Sequence, residues 1–165
     1  MPCWSAVTSS EDETRLLGRL VGERAAAGMV VLLQGPLGAG KTCFAQGVAY
    51  GLGVPEQTPV TSPSYALMNV HKGRLDLYHF DLYRLNRVDD LEDLGYDDCA
   101  EGEGLTLVEW ADRVSVALPA SLLVGIDYLE PDQRTIRLQA LDEHGRRVLS
   151  GVRQAWQAHK GRKNL

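Results

Sequence analysis

Residues 35–42 read G-P-L-G-A-G-K-T, and this stretch constrains the fold more than any other part of the chain. It follows an unbroken apolar run, Met29 to Leu33, which has the length and composition of a strand buried on both faces of a parallel sheet. It precedes a segment whose apolar side chains recur at helical spacing as far as Leu52. Strand, glycine-rich loop and helix in this order form the setting in which the motif binds phosphate. The sequence therefore predicts a P-loop nucleotide-binding unit, with ATP as the ligand.

Each residue type in this loop has a physical task. Glycines let the backbone adopt positive φ and approach a ligand with no side chain in the way. Lys41, on what we expect to be an exposed loop, offers an ammonium to the β- and γ-phosphates, and the Thr42 hydroxyl can coordinate magnesium at the positive end of the helix. The expected nucleotide contacts are Gly35, Gly38, Ala39, Gly40, Lys41, Thr42 and Cys43.

Two acidic residues end further apolar runs of strand length. Asp81 follows residues 77–80, and Glu109 follows residues 105–108. Because the carboxyl ends of parallel strands line the crevice of an α/β sheet, each is a candidate magnesium ligand. Each could equally be a surface acid at the end of a strand. The neighbouring Trp110 is interpreted as a packing residue.

A Ser/Thr-rich loop, residues 61–64, follows the predicted phosphate-loop helix. NTPases often place a hydroxyl that senses the γ-phosphate in such a loop, which makes Thr61 a candidate. A plain Ser-Pro turn explains the same residues equally well. His79, in the strand that leads to Asp81, is interpreted first as an ordinary strand residue.

The remaining pattern predicts an α/β protein, a P-loop NTPase-like mixed sheet with flanking helices and an antiparallel edge. Ser10 begins an S-x-x-E capping box, which starts a helix that we expect to run to about Ala27. The length suggests one domain, residues 1–150, followed by a basic tail, residues 151–165. Further strands are predicted at 65–70 and 75–80, as a hairpin, at 105–108, and at 122–128 and 135–141, as an antiparallel pair.

Charge is unevenly distributed along a chain whose formal net charge is −5. Residues 89–103 carry only acidic charges, whereas the charges beyond residue 143 are all basic. The basic end could bind nucleic acid or an acidic partner weakly, although a solvated helix with a frayed end is the simpler interpretation. We hypothesise that the acidic segment docks a basic partner and exposes Leu91, Leu94 and Tyr96 for contact. The alternative is that these apolar side chains face the core.

The cysteines and the hydropathy indicate where the chain works. Cys3, Cys43 and Cys99 are odd in number and share no C-x-x-C spacing, so neither a disulfide framework nor a zinc site is suggested. No apolar run is long enough to span a membrane, and the start lacks the layout of a secretory signal. We therefore expect a cytoplasmic protein with no membrane partner.

With these residues assembled, the chain closely resembles the small bacterial ATPase subunit of the tRNA threonylcarbamoyladenosine synthesis complex, the TsaE/YjeE family. The resemblance covers most of the chain, including the capped N-terminal helix. The motifs that carry it are G-P-L-G-A-G-K-T at 35–42, V-T-S-P-S-Y at 60–65, Y-H-F-D-L-Y-R-L at 78–85 and V-E-W at 108–110.

The resemblance implies a Mg²⁺-dependent ATPase that is weak alone and stimulated by partners. Lys41 and Thr42 would hold the phosphates and the metal, Glu109 would complete the metal site, and Asp81 would assist there. ATP hydrolysis would reset a partner complex that transfers the threonylcarbamoyl group onto adenosine. Contact with tRNA would then be indirect, through that complex.

Two further residues gain roles from the resemblance, and three depart from the commoner family pattern. Thr61 becomes a candidate switch residue, and Arg134 matches an arginine that lies near the nucleotide. Pro36, Cys43 and Ser64 stand where Asp, Thr and Thr respectively are frequent. None of these departures removes a phosphate or metal contact.

The main alternative is a small-molecule kinase, since the same loop serves phosphoryl transfer to a bound hydroxyl. Arg84 and Arg87 could then belong to a lid, although the acidic segment that follows them would repel phosphate. A GTPase is disfavoured because no N-K-x-D segment is present. A nucleotide-gated binding module with little turnover of its own is a third possibility, and it overlaps the family interpretation.

Overall fold

The computed structural model describes residues 2–63, 65–85, 87, 89–113 and 118–165. Ser64, one of the departures from the family pattern, lies outside these residues. The described strands are β1 (Cys3–Thr8), β2 (Val30–Gln34), β3 (Met68–His71), β4 (Leu77–Asp81), β5 (Leu105–Glu109), β6 (Leu122–Glu130) and β7 (Gln133–Ala140). The described α-helices are α1 (Glu11–Arg24), α2 (Lys41–Gly51), α3 (Asp89–Asp93), α4 (Tyr96–Ala100) and α5 (Glu143–Lys163).

All seven strands form one sheet in the order β1-β7-β6-β2-β5-β4-β3. The four central strands, β6, β2, β5 and β4, run parallel to one another. Antiparallel strands stand at both edges, β3 on one side and β7 with β1 on the other. The mixed α/β sheet predicted from the sequence is confirmed, with two antiparallel edges where one was expected.

The predicted helices and strands are found close to their expected positions. Ser10 caps α1, because its side-chain oxygen accepts a hydrogen bond from the Glu13 backbone N–H at 3.1 Å. The helix ends at Arg24, slightly before the expected end at Ala27. Both predicted antiparallel pairs, β3 with β4 and β6 with β7, are present.

Strand β1 has no counterpart among the predicted elements. Its side chains alternate between exposed and buried only near its end, where Ala6 and Thr8 are buried. Such a half-exposed edge strand leaves little hydrophobic signal in a sequence. It pairs with β7 from the opposite end of the chain, which no local pattern could indicate.

The basic C-terminal segment belongs to a long helix of the domain. Helix α5 begins behind its cap, Asp142, and continues without a break to Lys163. Val152 and Trp156 are buried in the same hydrophobic core as α1 and α2. The expected boundary at residue 150 therefore falls inside this helix, and residues 151–163 continue it with one side against the core and the other exposed.

The acidic segment lies over the second hydrophobic core, on the other face of the sheet. Leu91 is 3% exposed and Tyr96 is 4% exposed, and the Tyr96 ring meets the Phe80 ring edge-on at 5.2 Å. Leu94 is partly buried against the same cluster. The hypothesis that these apolar side chains are exposed for docking is therefore wrong, because they hold α3 and α4 onto the sheet.

No helix within the described ranges is long and apolar enough to cross a membrane.

Glu13 joins the start of α1 to the end of α5. Its carboxylate is buried and pairs with the Lys160 ammonium, while the Lys163 ammonium lies 3.9 Å away. Burial raises the pKa of Glu13, but the hydrogen bond and charge of Lys160, together with Lys163 and the Ser9 backbone, outweigh it. The pKa is therefore lowered from its ordinary value of 4.5.

This ion pair predicts a pH-dependent contribution to stability. A carboxylate whose pKa is lowered in the folded state stabilises above its unfolded pKa, and the contribution disappears as pH falls through the folded pKa. We expect Glu13→Gln to lower the free energy of unfolding by about 1 kcal/mol near neutral pH, between the values for exposed and buried pairs. Urea unfolding at several pH values measures this. Glu23→Gln, at an exposed ion pair with Arg19, is the control. If Glu13→Gln lowers the free energy of unfolding equally at neutral and at strongly acidic pH, the ion pair is not the source of the stabilisation.

Gly35 is the residue at which β2 turns into the loop, and the sheet requires a glycine there. Its φ is +151°, and a Cβ atom at this position would stand 2.2 Å from the Ile126 carbonyl oxygen of β6. We expect Gly35→Ala to destabilise the fold by about 2 kcal/mol, because the backbone itself would have to move. Gly125→Ala is the matched control, since a Cβ atom there meets no other atom within 4 Å. Equal melting temperatures for the two variants would refute this role of Gly35.

Candidate functional site

The glycine-rich loop connects the central strand β2 to the first turn of α2. Gly40 caps this helix with φ of +113°, and Lys41 and Thr42 are the first helical residues. Gly40 has no side chain to cap the helix, and the first backbone N–H groups of an α-helix have no partner within the helix. Oriented N–H groups at the positive end of a helix form an anion-binding site. The structure thus gives the motif the context that phosphate binding requires.

Lys41 is enclosed by the loop and is only 5% exposed. The loop itself is exposed at Pro36, Leu37 and Gly38, as expected, but the Lys41 side chain is turned inward. Its ammonium donates to the carbonyl oxygens of Gly35 at 2.7 Å and Pro36 at 2.8 Å, and it stands 3.8 Å from the centre of the Trp110 ring. Burial lowers the pKa of Lys41, an effect that nearby carboxylates, chiefly Glu109, only partly oppose. The loop therefore holds a desolvated positive charge at its centre.

Trp110 reaches Lys41 through an unusual backbone conformation. Its φ is +59°, which is uncommon for a large side chain and places the ring against both Lys41 and Tyr83. The sequence prediction of a packing residue therefore missed a contact with the central cation of the loop. Its position directly after Glu109 was the available signal.

The two strand-end acids lie side by side where β4 and β5 end. Asp81 is paired in register with Glu109, and both are 1% exposed. The Thr42 hydroxyl donates to Glu109 Oε1 at 3.2 Å. Asp81 accepts hydrogen bonds from the Ser62 hydroxyl and, at 2.9 Å, from the Tyr83 backbone N–H. Parallel pairing thus brings the predicted hydroxyl and both predicted carboxylates to one edge of the sheet.

His79 also belongs to this cluster, which the sequence analysis did not predict. It is fully buried, and its Nε2 lies 2.5 Å from Glu109 Oε2. Residues two apart in a strand point to the same side, so the spacing between His79 and Asp81 carried a signal. A histidine in a predicted strand does not by itself indicate a place in a functional site.

The loop that was expected to supply Thr61 presents the next residue instead. Ser62 contacts Asp81 and lines the cavity beside Lys41, whereas the Thr61 side chain is exposed and does not line that cavity. The two hydroxyls are adjacent in the sequence, and no spacing rule distinguishes which one turns inward.

Arg134 supports the loop from the opposite side. Its Nε donates to the Ala39 carbonyl oxygen at 3.1 Å, and its guanidinium lies over the Tyr128 ring at 4.4 Å. The Tyr128 hydroxyl in turn donates to the Leu37 carbonyl oxygen at 2.9 Å. Both side chains therefore tie the β6–β7 hairpin to the tip of the loop. Arg134 thus lies at the predicted site, with its guanidinium engaged by backbone carbonyls.

Two cavities open on either side of the loop. A cavity of about 510 Å³ is lined by the chemistry-bearing side chains Lys41, Thr42, Ser62, Asp81, Glu109 and Trp110. A second cavity, of about 370 Å³, is lined by Ser10, Thr14, Ala39 and Arg134 among others. Gly38, Gly40 and Cys43 line both. The Cys43 thiol donates to the Glu11 carbonyl oxygen at 3.2 Å, and burial raises the pKa of this thiol. The two cavities therefore adjoin at the loop, and we refer to them together as the divided cleft.

The donor set suits magnesium. Mg²⁺ prefers oxygen ligands and is usually bound by one or two carboxylates together with substrate phosphates and water. Thr42, Glu109 and Asp81 supply one hydroxyl and two carboxylates at the edge of the larger cavity. No group of three or more His, Cys, Asp or Glu side chains within the described residues forms a metal cage. The arrangement therefore fits a cation that arrives with a phosphate ligand.

Comparison with known proteins identifies the family. The family model described as "Threonylcarbamoyl adenosine biosynthesis protein TsaE" matches residues 8–147. The protein named tRNA threonylcarbamoyladenosine biosynthesis protein TsaE from Treponema pallidum is 46% identical over 113 residues, which cover 68% of this chain and 82% of that protein. The protein of the same name from Bacillus subtilis is 39% identical over 136 residues, covering 81% and 84%.

The fold comparison agrees with the sequence comparison. The crystal structure of Bacillus subtilis YdiB superposes with a TM-score of 0.79 at 30% sequence identity, and the match covers 93% of this chain and 96% of that one. The resemblance noted from the motifs is therefore confirmed over most of the length. The chain belongs to the TsaE family of threonylcarbamoyladenosine biosynthesis proteins.

Proposed function

We propose that this chain binds Mg²⁺-ATP in the divided cleft and hydrolyses it to support threonylcarbamoyl transfer onto adenosine in tRNA. In this proposal hydrolysis resets a transferase partner complex, and tRNA is contacted only through that complex. The observation that carries the nucleotide site is the junction of β2, loop and α2, where Lys41 is enclosed and Thr42 touches Glu109. The family membership supports the pathway.

The chain's own residues have distinct tasks in this proposal. Phosphate oxygens would bind the backbone N–H groups of Gly38 and residues 40–43, since the Ala39 N–H donates to the Pro36 carbonyl oxygen. They would also replace the loop carbonyls as partners of the Lys41 ammonium. The lowered pKa of Lys41 reflects its desolvation, so a phosphate anion beside it interacts more strongly than it would in water. Arg134 and Ala39 border the smaller cavity, which is where the nucleoside would be accommodated.

Thr42, Glu109 and Asp81 would hold the magnesium ion. When bound, Mg²⁺ neutralises phosphate charge and fixes the phosphate for in-line attack. Catalysis is then assigned to Lys41, Asp81, Glu109 and Thr61. The exposed Thr61 would reach the phosphates only after its loop rearranges, whereas the neighbouring Ser62 already contacts Asp81. The pathway and the free cysteines of the chain fit a cytoplasmic location.

A small-molecule kinase remains the second candidate, and one observation bears on it. Arg84 lines the larger cavity and lies over the exposed Tyr65 ring at 4.1 Å, so a basic side chain is available at the mouth. Phosphate release from ATP should be measured for the chain alone, with small hydroxyl substrates and with the transferase partners. The proposed function is supported if the transferase partners stimulate phosphate release and the small hydroxyl substrates do not. A phosphorylated small molecule would establish the kinase instead.

Lys41→Ala tests the phosphate site. We expect the affinity for ATP to fall by about 100-fold or more, on the scale of a lost charge-assisted contact, because the ammonium is the central cation of the loop. Isothermal titration calorimetry measures the affinity, and the melting temperature checks the fold. Lys72→Ala, at an exposed ion pair with Asp76, is the control. Unchanged ATP affinity in a folded Lys41→Ala protein would refute the site.

Glu109→Gln tests the metal side of the site. We expect partner-stimulated phosphate release to fall by about 100-fold, on the scale of a lost catalytic group, while ATP still binds. The amide keeps the size of the carboxylate and removes its charge, so the loss reports on charge rather than packing. Wild-type turnover in this variant would remove Glu109 from the assignment.

A further inference from the structure

The strongest feature that the proposed function leaves without a task is the buried contact between His79 and Glu109. His79 is fully buried on β4, and Glu109 is 1% exposed at the end of the adjacent β5. The 2.5 Å separation of His79 Nε2 and Glu109 Oε2 is that of a strong hydrogen bond between two side chains shielded from water.

The two oxygens of Glu109 are divided between two partners. Oε2 meets His79, and Oε1 accepts the Thr42 hydroxyl at 3.2 Å. A carboxylate held through one oxygen can still rotate, whereas one held through both has a fixed plane. The histidine therefore determines which oxygen faces the first turn of α2 and the larger cavity.

The arrangement also fixes where a hydrogen must be on the imidazole. His79 Nδ1 is buried and has no hydrogen-bond partner among the described residues. If Nδ1 carried the only hydrogen, a buried donor would be unpaired and the Nε2 lone pair would face the carboxylate. Nε2 therefore carries a hydrogen and donates it to Glu109.

We propose that His79 is a positioning residue that holds Glu109 in the orientation needed to bind magnesium together with Thr42. This rests on the proposed function, in which Glu109 is a metal ligand. Hydrogen-bond partners of metal ligands commonly change metal affinity or activity by about 10- to 100-fold when they are removed. His79 contacts neither nucleotide nor metal in this scheme and acts only through the carboxylate.

The test compares side chains that differ in reach. A Gln amide extends about as far as the imidazole Nε2, whereas an Asn amide extends only about as far as Nδ1. His79→Gln should therefore keep a donor at Glu109, and His79→Asn and His79→Leu should lose it. His71→Leu is the matched control, because it removes another histidine with a buried, unpartnered nitrogen from the neighbouring β3.

Two affinities, for Mn²⁺ and for the metal-free nucleotide analogue, distinguish loss of metal-ligand positioning from loss of the folded site. Mn²⁺ binding to the protein saturated with a non-hydrolysable ATP analogue is measured by electron paramagnetic resonance. Binding of the same analogue in EDTA is measured by calorimetry, and melting temperatures are recorded for each variant. We expect His79→Asn and His79→Leu to weaken Mn²⁺ binding by about 10- to 100-fold with metal-free analogue affinity retained. His79→Gln should recover most of the loss, and His71→Leu should match wild type.

Several outcomes would overturn the proposal. Mn²⁺ affinity equal to wild type in His79→Asn would show that the contact does not position the ligand. Equal losses in the Asn and Gln variants, loss of metal-free analogue binding, or failure of every His79 variant to fold would assign the histidine to packing alone. If the wild-type protein binds no analogue, the proposed function fails as well. Normal wild-type binding with unaffected variants rejects only the role of His79.

Discussion

The placement of β2 between two parallel neighbours is the constraint on which the rest of the structure depends. Pairing with β5 puts Leu33 level with Glu109, and pairing with β6 brings the Ile126 carbonyl against Gly35. Pairing with β5 places Glu109 beside the start of α2, and the close approach of β6 leaves room only for a glycine at position 35. Loop, helix start and carboxylate thus meet because β2 and β5 end at the same edge of the sheet.

This edge concentrates charges away from water, and their mutual arrangement explains the chemistry that we assign to it. Lys41 is held by backbone carbonyls and an aromatic ring, and its partial loss of solvation outweighs the attraction of the acids nearby. Glu109 and Asp81 are buried as well, each with hydrogen-bond donors in place of water. Buried charges of this kind require partners. In the proposed complex, the nucleotide phosphate would pair with the Lys41 ammonium and its magnesium ion would pair with the two carboxylates.

The sequence predicted the parts of this site that depend on local order. Strand, loop and helix follow one another directly, so Lys41 and Thr42 could be placed from the motif alone. Asp81 and Glu109 followed from strand ends, because parallel strands share an edge. The hydrophobic content of residues 91–96 was also visible, yet which side faced the sheet depended on Phe80, a residue distant in sequence. Local spacing therefore identified the apolar side chains of this segment but not whether they face the core or the solvent.

What could not be predicted depends on contacts between distant elements. Arg134 reaches Ala39 only because the β6–β7 hairpin lies beside the loop, and β1 exists because β7 offers an edge from the other end of the chain. The choice of Ser62 over Thr61 follows from how one loop lies against Asp81. The sequence predicts an ordinary strand residue at His79 and a packing residue at Trp110, and both side chains contact charged groups of the site.

The most direct test of the account is a crystal structure of the protein with a non-hydrolysable ATP analogue and Mn²⁺, with the metal located by its anomalous scattering. We expect phosphate density over the loop at residues 38–43, with the Lys41 ammonium turned from the Gly35 and Pro36 carbonyls toward it. We also expect one anomalous peak beside Thr42 and Glu109. An analogue bound elsewhere on the chain, or a metal peak remote from both of these side chains, would contradict the account.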